Sequence, residues 1–514
     1  MKPSLLAGLS GILCLTVLSC TPKTDPADPF SGAKWIGTSE NVLYADFLPQ
    51  FTLSADIDIP DGSSRASLLL GGNDPRLMDA GLNIMGVENA PDASFVRVEL
   101  DRARRQVNVY RTGYTKDDVP GKVFRSLDVA DSLLTDGPSH LTVAVAYSEL
   151  RILLEGTLLG RVNVGPLGRG GDYIAYPQLS DVGWLVEDGQ SARVSNLEVR
   201  EARKPNAVLY HHEGMPAVAS GVKVLCEPSH GGMPVLRSTF RLKGKAIENA
   251  TLLVTARGIY EVNINGSRVG EDYLAPGLSQ YNKHHYYQSY DVTPLLKGGK
   301  NEIVASLGEG WWSGDLTFGA GNRNYFGDQL ALLACLQVRY QDGSTKTVVT
   351  DPKTWEVTTG GSVTYASLFQ GQVTDARRQL ADASWRPAEE MVLDGHTSDE
   401  TFGSTAPRTD EYDDWQLLPQ EDPSPRVFTT LTARSVTEVR PGIFVYDMGQ
   451  NFAGSPSVTL HGLKEGQQLR FRYAEVLYPD MPEYEGNAGM LMLENIRGAM
   501  AQDIYIASGA PKEV

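Results

Sequence analysis

Period-two alternation of apolar and polar residues runs through most of the chain. "FTLSADIDI", "FVRVELD", "QVNVYRT", "LTVAVAY", "ELRILLEG", "ARVSNLEV", "TLLVTA", "IYEVNING", "ALLACLQVRY", "KTVVT", "SVTL" and "LRFRYAEVL" each read as strands broken by Gly, Asn, Asp or Pro. No amphipathic helix longer than two turns is predicted. A half-buried sheet must lay its apolar face on a second sheet, so short strands with frequent turns predict an all-β chain of tandem sandwiches. The 52 glycines and 29 prolines then supply turn chemistry. Within this pattern, "HLTVAVAYSELRILLEGTLLG" predicts a hairpin about Ser148-Glu149, and Asn265-Gly266 in "NINGSRVG" predicts a tight hairpin turn that tolerates positive φ.

The first twenty residues, "MKPSLLAGLSGILCLTVLSC", depart from the alternation. An early Lys2, an apolar run from Leu5 to Leu18 and the polar "TPKTDPADPF" after it predict a secretory signal over 1–19 and a tether over 20–34. Val17-Leu18-Ser19-Cys20 resembles a bacterial lipobox. That likeness implies acylation of Cys20 and a body lipid-anchored at the outer membrane, in the periplasm or at the cell surface; plain secretion is the alternative.

Strand-rich blocks then follow one another: 46–203 after a short 35–45 segment opening "WIG", a second block over 204–402, a Pro/Asp-rich linker over 403–425, and a third block over 426–514 expected to be incomplete. The 63 acidic against 46 basic side chains give a net charge of −17 without a basic stripe, so nucleic acid is a poor partner and a neutral ligand fits better. Beyond Cys14 and Cys20 only Cys226 and Cys335 remain; they could bridge, but their strand-like settings favour buried free thiols. His284 and His285, without a clustered third ligand, read as surface or hydrogen-bonded rather than zinc-binding.

The second block holds the most distinctive strings. "TARGIYEVNINGSRVGEDYLAPGLSQYNKHHYYQSYDVTPLLKGGKNEIVASLGEGWWSGD", "YFGDQLALLACLQVRYQDGSTKTVVTDPKTWEV" and "FQGQVTDARRQ" resemble the N-terminal carbohydrate-binding-like module of bacterial α-L-rhamnosidases. "VRPGIFVYDMGQNFAGSPSVTLHGLKEGQQLRFRYAEVLYPD" resembles the β-sandwich module that follows it there. The 46–203 block is similar to laminin-G or concanavalin-like sandwiches. The resemblance implies jelly-roll sandwiches in an enzyme that hydrolyses terminal α-L-rhamnosides of plant or microbial glycans with inversion. An acid and a base carboxylate about 6.5–9.5 Å apart perform that chemistry on a helical barrel after the β modules. No such helical pattern is found here. The expected role is therefore a non-catalytic portion giving targeting, scaffold and sugar contacts to a rhamnose-containing glycan. Two alternatives stay open: half of an active enzyme completed by a C-terminal barrel on a longer or partner chain, and a lipid-anchored glycan-binding protein.

Candidate contacts follow from chemistry. Trp311 and Trp312 in "LGEGWWSGD", with Asp315, Tyr325 and Asp328, supply rings for an apolar sugar face and acceptors for hydroxyls if the loops at 308–328 converge. The favoured arrangement turns one tryptophan inward and one outward; both structural, or a two-ring platform, are the alternatives. Glu309 beside Trp311 has the setting of a raised-pKa acid, but carboxylates in Gly-rich β loops more often cap turns, bind hydroxyls or pair with arginine. Asp375 and Arg377 predict a structural ion pair or a domain-interface clamp. No cofactor is required. The resemblance leaves room for calcium, with Asp74, Asp79 and Asp272 as weak candidates.

Overall fold

The computed structural model describes residues 28–82, 87–165, 176–202, 207–316, 323–392, 415–496 and 499–514. The leader and Cys20 therefore lie outside the described residues. Strands dominate, and the only helices among the described residues are three-residue 3-10 turns. None is long and apolar enough to cross a membrane.

Two six-stranded antiparallel sheets form the first sandwich. One runs through Val222–Cys226, Asp181–Val186, Arg65–Gly72, Phe95–Asp101, Gln106–Thr112 and Arg125–Asp128. The other runs through Val208–Gly214, Arg193–Glu201, Gln50–Asp58, Ser139–Ala146, Glu149–Leu154 and Thr157–Asn163. Alternate residues of each inner face, among them Leu53, Ala55, Ile57, Val96, Val98, Val143 and Ile152, are wholly buried, as a two-sheet core requires. The hairpin turns at Tyr147-Ser148, with Tyr147 at φ 56°, one residue earlier than the pattern suggests.

Strand Ile36–Gly37 pairs with Ala331–Tyr340 and Glu389–Glu390 in the second sandwich. The chain thus starts that sandwich, builds the first one, and returns. Its central sheet pairs Ile247–Arg257 with Ala331–Tyr340 and His284–Asp291; the facing sheet centres on Gly299–Gly308 between Val235–Leu242 and Ile259–Ile264. Asn265 (φ 52°) and Gly266 (φ 82°) make the tight turn between Ile259–Ile264 and Ser267–Arg268.

Pairing departs from the sequence grouping in three places. Val208–Gly214 and Val222–Cys226 close the edges of the first sandwich, although they precede the second block's other strands directly. Hairpin Val363–Ser367/Gly371–Asp375 joins Gln502–Ile506 and Gln468–Arg472 in a sheet of the terminal module. Within the expected linker, Gln416–Pro419 adds a parallel edge strand to His284–Asp291. Alternation marks a segment as strand but carries no information about which sheet receives it. "SVTL" contributes only Leu460, since its pairing extends just to Lys512–Glu513. Cys226 and Cys335 are free.

Candidate functional site

The facing sheet delivers the Gly-Trp-Trp turn. Strand Gly299–Gly308 ends against the 258–260 backbone, and the chain then folds back so that Trp312 enters the sandwich. Trp312 is 2% exposed and donates its Nε1–H to the Gln329 carbonyl at 3.0 Å. A Cβ at Gly327 would lie 2.3 Å from the indole, which explains the glycine in "YFGD".

Trp312 belongs to an aromatic shell around His285. Trp35, Tyr281, Trp312 and Trp415 stand 5.6, 4.9, 5.5 and 5.3 Å from the imidazole, and the Arg257 guanidinium lies 4.5 Å over Trp35. His285 is 1% exposed, and its Nδ1 has no hydrogen-bond partner among the described residues. Burial, then the nearby Arg257 and His284, push its pKa down to about 3, so the ring is neutral. The shell draws from residues 35, 257, 281, 312 and 415, a juxtaposition absent from any local motif.

Below the turn lies a closed ionic cluster. Arg323 faces two carboxylates, Nη2 to Glu309 Oε1 at 3.6 Å and Nη1 to Asp315 Oδ2 at 3.5 Å. Tyr365 donates its hydroxyl to Glu309 Oε2 at 3.1 Å, and Gln370 Nε2 donates to Asp315 Oδ2 at 3.0 Å. The backbone N–H of Met500 in turn donates to Gln370 Oε1 at 3.3 Å, so the cluster joins the turn to the 363–375 hairpin and the terminal module. Glu309 and Asp315 are 9% and 7% exposed. Burial raises the Glu309 pKa against the opposing pull of Arg323. Gly314 sits at φ +71°, and a Cβ there would come within 2.0 Å of Glu309 Oε2. Two carboxylates sharing one guanidinium beneath the surface can hold three segments together.

The expected sugar contacts consequently divide. Trp312 and Asp315 are buried, Trp312 bonded to the Gln329 carbonyl and Asp315 held by Arg323 and Gln370. Trp311, Tyr325 and Asp328 are half-buried; Trp311 and Tyr325 pack against the core, and Tyr325 lies edge-on to Phe326 at 4.9 Å. No open two-ring platform forms from Trp311 and Trp312.

The calcium candidates each pair with arginine. Asp74 is fully buried and binds Arg76 through Nε at 2.9 Å, while also accepting the Arg76 backbone N–H at 3.0 Å. Asp79 meets Arg470 Nη1 at 2.7 Å and Arg472 Nη2; burial opposes its ionisation, but the two guanidiniums outweigh it and hold the carboxyl below its usual range. Asp272 accepts from Arg426 Nε at 2.7 Å and from the Tyr290 hydroxyl at 2.9 Å. Among the described residues no group of three or more His, Cys, Asp or Glu could hold a metal. Asp375 and Arg377 form a two-point ion pair at 2.9 and 2.8 Å.

Residues 245–401 match the alpha-L-rhamnosidase N-terminal domain, and residues 437–514 match the bacterial alpha-L-rhamnosidase concanavalin-like domain. An alpha-L-rhamnosidase of Streptomyces avermitilis is 37% identical over 286 residues, covering 54% of this chain and 25% of its own length. One of Formosa agariphila is 27% identical over 315 residues, covering 57% and 29%. The crystal structure of Streptomyces avermitilis alpha-L-rhamnosidase complexed with L-rhamnose aligns at 24% identity with a TM-score of 0.48, over 94% of this chain and 41% of that one. The chain spans about a quarter of the length of the curated relatives it matches. Two domains of bacterial α-L-rhamnosidases are thus matched in succession along this chain, which is similar to the N-terminal β portion of those enzymes.

Proposed function

We propose that this chain is the non-catalytic N-terminal part of a secreted α-L-rhamnosidase, giving targeting, scaffold and sugar contacts to a terminal α-L-rhamnoside of a plant or microbial glycan. The observation that carries the reading is the state of the carboxylates in the turn most typical of the family strings: Glu309 and Asp315 are closed in and bound to Arg323. General acid catalysis needs a carboxyl within reach of the leaving oxygen, with a second on the far side of the sugar. Acylation of Cys20 would hold the protein at the bacterial envelope, with the sandwiches in water.

A second reading, in which the chain is half of an active enzyme completed by a helical barrel, is favoured by the terminal module. Val436, Phe444 and Tyr446 share one face of the Ser435–Arg440/Ile443–Asp447 ribbon and are each at least half exposed; nearby in sequence, Phe428 is 93% exposed. Apolar surface of this kind is usually covered by a partner or by further chain. Calorimetric titration of L-rhamnose and a rhamnose-terminated oligosaccharide into the full chain tests the sugar-contact role. Saturable heat is expected, and no signal at saturating sugar overturns it.

A further inference from the structure

A cleft of about 510 Å³ opens between the 358–360 turn and the 377–386 loop, away from the Gly-Trp-Trp turn. Glu40, Arg377, Arg378, Asp382, Trp385 and Arg386 line it. Its walls are held from behind. Glu40 Oε2 accepts from Thr359 Oγ1 at 2.9 Å and from Arg386 Nη2 at 2.7 Å. Arg378 donates to the Gly231 and Thr359 carbonyls, both at 2.7 Å, and Arg377 is fixed by Asp375. The Arg237 guanidinium lies 3.9 Å over the Trp385 ring and sets the plane of the indole, which remains partly exposed.

Charge decides what such a cleft suits. The three arginines are matched by Glu40 and Asp382 in the wall and Asp375 behind it, so the site offers no net field to a polyanion. It offers fixed donors, fixed acceptors and one aromatic ring, within the size range of small-molecule sites and with room for about one or two pyranose rings. We infer that this cleft is a subsite for a neutral pyranose unit of the glycan. The Trp385 indole takes the apolar C–H face of the ring, Asp382 accepts from ring hydroxyls, and Arg377 and Arg386 donate to ring and hydroxyl oxygens. The inference rests on the glycan-contacting reading above and moves the contact from the 308–328 loops to the 377–386 loop.

The test titrates L-rhamnose and a rhamnose-terminated oligosaccharide into the full chain and into Trp385→Ala, Asp382→Asn and Trp311→Ala. Expected is saturable binding to the parent, weakened at least tenfold in Trp385→Ala and several-fold in Asp382→Asn, and unchanged in Trp311→Ala. Asp382 is exposed, so Asp382→Asn decides the matter if loss of the Arg237–Trp385 stack prevents Trp385→Ala from folding. Parent-like binding by the folded cleft variants overturns the subsite and leaves the glycan reading standing. Absence of saturable binding by the parent to either sugar overturns both.

Discussion

His285 shows how a single buried group sets a pH limit. Its ordinary pKa near 6.5 is pushed down to about 3 in the fold, so from about pH 6.5 downward the unfolded chain takes up a proton that the folded chain refuses. Stability from this group is complete above the unfolded pKa and is lost as pH falls, at about 1.4 kcal/mol per unit, until the folded pKa is reached. Asp46 has the opposite sign: burial, reinforced by Asp74, raises it to about 7, so its penalty grows as pH rises from about 3.8 to about 7. Relative to the parent, His285→Phe should therefore be progressively favoured between pH 6.5 and pH 4. Tryptophan fluorescence reads this in denaturant, since Trp35, Trp312 and Trp415 surround the ring; parallel pH profiles would contradict it. Arg323→Ala should destabilise by about 3–5 kcal/mol by stranding two buried carboxylates, with Glu309→Gln recovering part of the loss in the double variant. One inward tryptophan of the pair could be anticipated from alternation, although strand phase, with Ile303, Ala305 and Leu307 buried, points to Trp311, and the turn after Gly308 brings in Trp312. Its companions could not, because alternation places a side chain on a face and is silent about Trp35 and Trp415 arriving from opposite ends of the block.

At the scale of elements, ion pairs tie the first sandwich to the terminal module. Asp79 meets Arg470 and Arg472, and Arg440 donates to Glu88 at 3.0 Å and to the Ala80 carbonyl at 2.6 Å. Asp79→Ala should cost about 1–3 kcal/mol at this junction. Hydrogen exchange should quicken in Gln468–Arg472 and stay unchanged in Gln50–Asp58 and Phe95–Asp101; uniform quickening would mean that Asp79 supports the whole sandwich instead. Most strands were legible because each buries one face, as in Val96, Val98 and Leu100. Sheet membership was not, since Val208–Gly214 and Val363–Ser367 carry the same alternation as their sequence neighbours and are assigned by long-range pairing alone. The aspartates show a related limit: such a residue in an oxygen-rich loop looks the same in sequence whether its partner is a cation or, as for Asp79, an arginine 391 positions away.

Among the described residues, the main cluster of buried apolar side chains runs from Ile36 to Ile504, with a second, smaller one at Phe30, Leu253, Leu333 and Cys335, so the sandwiches act as a joined scaffold. The resemblance to α-L-rhamnosidases could be read from long ordered strings. The closing of Glu309 and Asp315 around Arg323 could not, because it depends on how the turn returns. In the function proposed above, this scaffold contacts glycan without cleaving it. Incubating the purified chain with an aryl α-L-rhamnoside tests it most directly. The account predicts no release of the aryl group above a buffer blank, while turnover above the blank that disappears in Glu309→Gln would contradict it.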